Sequence, residues 1–245
     1  MSLEAPRSVI EEEVSRATVF VNKEVLYPEY CPPRLADRET EIREMTRYFK
    51  FLFVSPGSMS QKILIYGPIG VGKTCTSMVF GREFCSLARE RGVDVRYVHV
   101  NCHRARTRNM VVLEIARQLG VPIPSRGLSD FETYTAVLEY LDEYNIYAII
   151  ALDEFDYFVR TEGSDGAYFF VRTYDNLPYK AKRVNFIFIG RDISELSNLD
   201  SATASYLLRH MIKFTPYTAE QLRVILDDRR RLAFKEGAVP DEVLE

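Results

Sequence analysis

The sequence predicts an α/β fold, a three-layer sandwich built on a parallel five-stranded sheet. Three observations predict it. Apolar runs of strand length recur along the chain, each followed by a stretch with helical spacing, so helices alternate with strands and cover both sheet faces. One run, Ile63–Tyr66, passes into Gly67-Pro68-Ile69-Gly70-Val71-Gly72-Lys73-Thr74, which fits G-x-x-x-x-G-K-[ST] with a strand before it and a helix after it. Another, Ile146–Leu152, is nearly all apolar and ends on Asp153 and Glu154.

The first motif suits a polyphosphate. Glycines permit positive φ, so backbone N–H groups can converge on an anion. The N-terminus of the following helix adds about half a unit of positive charge. Lys73 is placed to reach β and γ phosphates, and the Thr74 hydroxyl to ligate Mg²⁺. The expected nucleotide-binding residues run from Gly67 through Cys75. In a parallel sheet the C-terminal strand ends line the ligand crevice. Asp153 is then placed to complete the Mg²⁺ shell and Glu154 to direct an attacking water. ATP or ADP with Mg²⁺ is the expected cofactor, with Lys73 and Glu154 as the candidate catalytic side chains.

Composition narrows the remaining classes. The chain has 245 residues and 47% hydrophobic content, enough for one large core. It contains no apolar run long enough to span a bilayer. Its net charge of −3 excludes a chain that is basic throughout, so any nucleic-acid contact must be a local patch. Cys31, Cys75, Cys85 and Cys102 stand far apart, with no C-x-x-C pair. That spacing argues against a zinc knuckle and suits a reducing compartment.

Taken in order, residues 1–19 form a polar, acidic tail that includes Glu11–Glu13. From Phe20 to Leu35, Pro28, Pro32 and Pro33 predict an extended lead-in. Asp37 is placed to cap a helix with an apolar face of Ile42, Met45, Tyr48, Phe49 and Leu52. Helices are expected at 74–91, 109–119, 129–144, 167–176 and 201–208. Strands are expected at 63–66, 95–101, 146–153, 183–190 and 210–214. His99 reads as a packed strand residue, because no His or Cys stands at metal spacing. Gly163 to Gly166 reads as a turn. Ser129 with Glu132, and Thr218 with Gln221, form capping boxes, the second opening a helix through about Phe234.

Beyond the two nucleotide motifs, further pieces recur in a specific order. They are VLYPEY at Val25–Tyr30 with Arg38 and Glu39, YVHVN at Tyr97–Asn101 and IARQL at Ile115–Leu119. RGLS at Arg126–Ser129, LDEFD at Leu152–Asp156 and NLD at Asn198–Asp200 follow. FTPYTAEQL at Phe214–Leu222 and AFKEG at Ala233–Gly237 complete the set. In these pieces the chain resembles the archaeal origin-recognition and helicase-loader family of AAA+ ATPases, from about Phe20 to its end.

The resemblance implies an AAA+ base domain over residues 20–216 and the start of a helical lid over 217–245. It implies that the lid is incomplete here and that a winged-helix DNA-binding domain is absent from the chain. Tyr217 and Arg229 match family positions that contact the nucleotide from the lid. Arg229 reads equally as part of a solvated arginine run. The Pro122–Leu128 region matches an insertion that reaches DNA, with Arg126 either a phosphate contact or a plain surface arginine. The basic run His103–Arg108 reads as a phosphate patch or as a solvated helix start. Implied partners are origin duplex DNA, the replicative helicase and paralogous subunits, in a cytoplasmic, nucleoid-associated setting without membrane.

Two departures from the family pattern stand out. Arg191 occupies the place of the polar residue that positions the lytic water, and Ala202 the place of the arginine finger. Such a finger is worth roughly 10³–10⁵ in rate. Good nucleotide binding with weak hydrolysis is therefore expected, unless Arg191 itself stabilises the γ-phosphate. Alternative readings are a signalling or defence ATPase that uses nucleotide-controlled oligomerisation, and a clamp-loader subunit. The second lacks its Ser-Arg-Cys motif here.

Overall fold

The computed structural model describes residues 6–15, 18–27, 30–33, 35–124, 127–174, 181–196 and 199–244. In chain order the helices begin with α1 (Pro6–Ser15), α2 (Glu39–Phe49), α3 (Phe51–Val54) and α4 (Lys73–Glu90). Then come α5 (Arg108–Leu119), α6 (Asp130–Glu143), α7 (Phe155–Val171), α8 (Ser201–Leu207) and α9 (Ala219–Ala233). The strands are β1 (Lys62–Tyr66), β2 (Val95–Asn101), β3 (Tyr147–Asp153), β4 (Val184–Gly190) and β5 (Met211–Lys213).

Contacts divide the chain into a larger unit, Pro33–Pro216, and a smaller one made of the residues up to Pro32 together with Tyr217–Glu245. In the larger unit the five strands are all parallel, in the order β2-β3-β4-β1-β5. β3 and β4 are buried along their whole length, as central strands covered on both faces must be. Their side chains alternate between two cores. Ala148, Ile150, Leu152, Phe186 and Phe188 pack with α5, α6 and α7. Ile149, Ala151, Ile187 and Ile189 pack with Met45 and Phe49 of α2 and Phe80 and Phe84 of α4. That alternation is the period-2 pleat expressed as a three-layer sandwich, the predicted fold class. The edge strand β2 is closed by a side chain: Gln118 of α5 accepts from the His99 N–H (3.0 Å) and donates to the His99 carbonyl (2.7 Å).

Both predicted capping boxes are present, at Ser129/Glu132 and Thr218/Gln221. Two local expectations are corrected. Asp37 does not cap α2: it sits at φ 52°, and the cap position is Arg38, with no side-chain capping bond. The break expected at Gly163–Gly166 is present as a kink: Gly163 (φ 69°, ψ −165°) leaves helical geometry and divides α7 into two helical segments. Phe155, Phe158 and Val159 before the kink and Ala167, Phe170 and Val171 after it are buried in the same core. The lead-in from Phe20, expected to be extended, forms a 3-10 helix at Lys23–Leu26 with the Asn22 side chain accepting from the Glu24 N–H. Phe20 bridges Phe234 in antiparallel fashion with rings 4.9 Å apart, and Val21 N–H donates to the Ala233 carbonyl. Within this smaller unit α1 is exposed and Val25 is buried.

Candidate functional site

β1 delivers the chain to a loop, Gly67–Gly72, whose shape its glycines set. Gly67 (φ 152°) lies so close to β5's continuation that an added Cβ would stand 2.3 Å from the Phe214 carbonyl oxygen. Gly70 and Gly72 are left-handed (φ 82° and 83°), and Gly72 is the N-cap of α4. Because glycine supplies no capping side chain, the first N–H groups of this 18-residue helix point toward the loop's concavity. Pro68, Ile69 and Gly70 are exposed at the tip, while Val71 is buried and anchors the loop to the core. Arg38, only 3% exposed, holds that anchor: it donates to the Val71 carbonyl (2.8 Å) and the Thr215 carbonyl (3.1 Å) and pairs with Glu41 (2.6 Å).

Lys73 folds over the loop, its Nζ donating to the Gly67 (2.5 Å) and Pro68 (2.6 Å) carbonyls. Partial burial pulls its pKa below the ordinary lysine value, against the opposing pull of Asp153 and Asp156, and Arg191 adds to the lowering. A bound polyphosphate offers better acceptors than two backbone carbonyls and favours the charged ammonium.

At the C-terminal end of β3, Asp153 is 5% exposed. Its Oδ2 accepts from Thr74 Oγ1 at 2.6 Å and lies 3.3 Å from His99 Nε2, while Oδ1 accepts from the Glu154 N–H at 2.8 Å. Burial raises its pKa, but the hydrogen bonds from His99 and Thr74 prevail, so the carboxyl is held below its ordinary value. Glu154 is the N-cap of α7 in left-handed geometry (φ 54°), a strained position for a non-glycine residue. Its Oε1 is 3.4 Å from Arg191 Nη2, just beyond the end of β4. Asp156 is 1% exposed, and neither carboxylate oxygen has a hydrogen-bond partner among the described residues.

The donor set is oxygen only: the Thr74 hydroxyl and the carboxylates of Asp153 and Glu154. No cluster of three His, Cys, Asp or Glu that would hold a metal by itself occurs among the described residues. Such a set fits Mg²⁺, which takes hard oxygen ligands from one or two carboxylates and completes its shell with waters and substrate phosphates.

The structure thus gathers Gly67–Gly72, Lys73, Thr74, Asp153 and Glu154 at one end of the sheet, and Cys75 follows in the first turn of α4. Tyr217 and Arg229 belong to the smaller unit, where Arg229 donates to the Val25 (3.1 Å) and Tyr30 (3.3 Å) carbonyls. Arg126 lies outside the described residues. Sequence reasoning missed three participants. The sequence marks Arg38 only by the family pattern, does not pair Arg191 with Glu154, and reads His99 as a packed strand residue. β2 and β3 pair in register with Asn101 opposite Asp153, which brings His99 beside the carboxylate.

Comparison with known proteins follows this geometry. The family model described as an AAA domain matches residues 59–199. ORC1-type DNA replication protein 2 of Sulfurisphaera tokodaii is 43% identical over 244 residues, covering 99% of this chain and 58% of that protein. Among solved structures, Cdc6p from Pyrobaculum aerophilum is 28% identical, with a TM-score of 0.78 over 93% of this chain and 58% of that one. The ORC1 protein of Aeropyrum pernix, solved in complex with DNA, is 31% identical, with a TM-score of 0.77 over 91% and 56%. The chain spans somewhat under three fifths of the length of these relatives.

Proposed function

The chain belongs to the AAA domain family, and on that premise we propose that it acts as an archaeal-type replication initiator, binding ATP or ADP with Mg²⁺ as a switch on its hold on origin DNA. One observation supports the nucleotide half of this reading: Thr74 Oγ1 lies 2.6 Å from Asp153 Oδ2, so the loop and the acidic strand end present their oxygen ligands together. The initiator half rests on 43% identity to an ORC1-type replication protein along nearly the whole chain, and on the likeness to a DNA-bound ORC1 structure. That identity favours the initiator over a signalling or defence ATPase.

Asp153 and the Thr74 hydroxyl are the groups that would hold Mg²⁺, which would supply charge neutralisation to the bound phosphates. Lys73 leaves the loop carbonyls for phosphate oxygens. Glu154 is the acceptor for the proton of an attacking water. The Arg191 guanidinium, 3.4 Å away, occupies that carboxylate and has to release it before the water can be oriented. Slow hydrolysis is the outcome, consistent with Ala202 at the finger position. Tyr217 and Arg229 are proposed nucleotide contacts from the lid, Arg126 and the Pro122–Leu128 region a DNA contact, and the helicase and paralogous subunits further partners.

Glu154→Gln tests the site directly. It keeps the shape and removes the base, so ADP affinity in a calorimetric titration should stay within about threefold. Any turnover should fall by about 10²-fold or more, since general-base catalysis contributes typically 10²–10⁴. Turnover unchanged by the substitution would move the base elsewhere.

A further inference from the structure

We infer that His99 is a positioning residue for Asp153, the last link of a chain of hydrogen bonds that begins in α4 and presets the carboxylate for a nucleotide-bound Mg²⁺; this rests on the reading of the site given above. The links are all within one unit. Ser77 Oγ is 2.8 Å from the Tyr97 hydroxyl, which is 3.2 Å from His99 Nδ1. On the other side of the ring, His99 Nε2 is 3.3 Å from Asp153 Oδ2.

The chemistry of the links fixes their direction. Burial pushes the Tyr97 phenol well above its usual pKa, so it keeps its proton. Asp153 carries its charge and only accepts. A bare Nε2 lone pair facing Oδ2 would repel it, so Nε2 carries a proton, and in the neutral imidazole Nδ1 then accepts from Tyr97. The tyrosine oxygen is then free to accept from Ser77. Every donor in the chain points toward Asp153.

The surroundings hold this arrangement in place. Gln118 grips the His99 backbone through both its N–H and its carbonyl. Gly81, in the middle of α4, leaves room for the Tyr97 ring: an added Cβ would stand 2.2 Å from it. A glycine inside a helix costs about 0.5–1 kcal/mol against alanine, and here it lets an aromatic lie flat on the helix backbone. With Oδ2 bonded by both Thr74 and His99, and Oδ1 by the Glu154 N–H, the carboxylate plane is set before any ligand arrives. Partners one shell out from a metal are worth about 10–100-fold in metal affinity or activity.

A packed strand histidine makes a different prediction, and ADP titration of the full chain separates the two. The quantity to measure is the ratio of ADP affinity in Mg²⁺ to that in EDTA. His99→Phe should leave the EDTA affinity within about twofold and cut the Mg²⁺-dependent gain about tenfold. His99→Gln, whose amide can donate to Asp153, should recover most of that gain. Tyr97→Phe keeps the ring on Gly81, removes only the hydroxyl, and should lower the gain severalfold. An unchanged ratio in His99→Phe or Tyr97→Phe overturns the inference, as does equal loss in Mg²⁺ and EDTA. Failure of the unaltered chain to bind ADP in either condition would instead overturn the reading of the site itself.

Discussion

Lys73→Ala lowers the affinity for ADP by about 100-fold or more, close to 3 kcal/mol, with little change in melting temperature. The expected size follows from what the ammonium does in each state. With phosphate present it makes charge-assisted hydrogen bonds worth about 1.5–3 kcal/mol each. In the structure described here it rests on the carbonyls of Gly67 and Pro68, at a half-buried spot where loss of the side chain leaves water access to both acceptors. Binding therefore suffers while folding does not. Calorimetric titration with ADP in Mg²⁺ and a thermal scan on the same sample check the pair of outcomes. Tight ADP binding by the variant would remove the loop from the site.

Gly67→Ala behaves in the opposite way, damaging the fold along with the site. The new methyl would meet the Phe214 carbonyl oxygen at 2.3 Å, and that oxygen is backbone, fixed where β5 runs beside β1. The φ of 152° is also one that an L-residue rarely adopts. Strain of this kind costs about 1–3 kcal/mol before the clash is counted, so a loss of at least about 3 kcal/mol is expected, together with loss of ADP binding. Urea denaturation midpoints give the measurement. Gly70→Ala is the internal control: its φ is 82°, but an added Cβ meets nothing within 4 Å, so only the left-handed penalty of about 1–2 kcal/mol applies. Equal destabilisation by the two substitutions would mean that the Phe214 approach is not what makes Gly67 necessary.

What the sequence made legible divides along the same line between local and distant causes. The capping boxes at Ser129 and Thr218 were legible because donor and acceptor sit three residues apart. The phosphate loop was legible because its glycines and Lys73 are contiguous, and the acidic strand end because β3 is so uniformly apolar. Asp37 is misleading by residue type, since its capping preference says nothing of the left-handed backbone it adopts here, whereas Gly163 does mark the break in α7. Arg38 and His99 were out of reach for a different reason. The carbonyl partners of Arg38, at Val71 and Thr215, lie 33 and 177 residues away in the chain, and His99 meets Asp153 only once β2 and β3 are in register. Arg191 shows the intermediate case: its position signalled a departure from the family pattern, but its pairing with Glu154 follows only from the placement of β4.

The Gln118 clamp on β2 has a consequence for self-association. The outer border of a sheet normally exposes unpaired amides and carbonyls that invite a foreign strand. At His99 both groups are already taken by a carboxamide from the same chain, so an incoming strand would find no vacant partner there. A second copy of this chain is thus hindered from extending the sheet across β2 at His99.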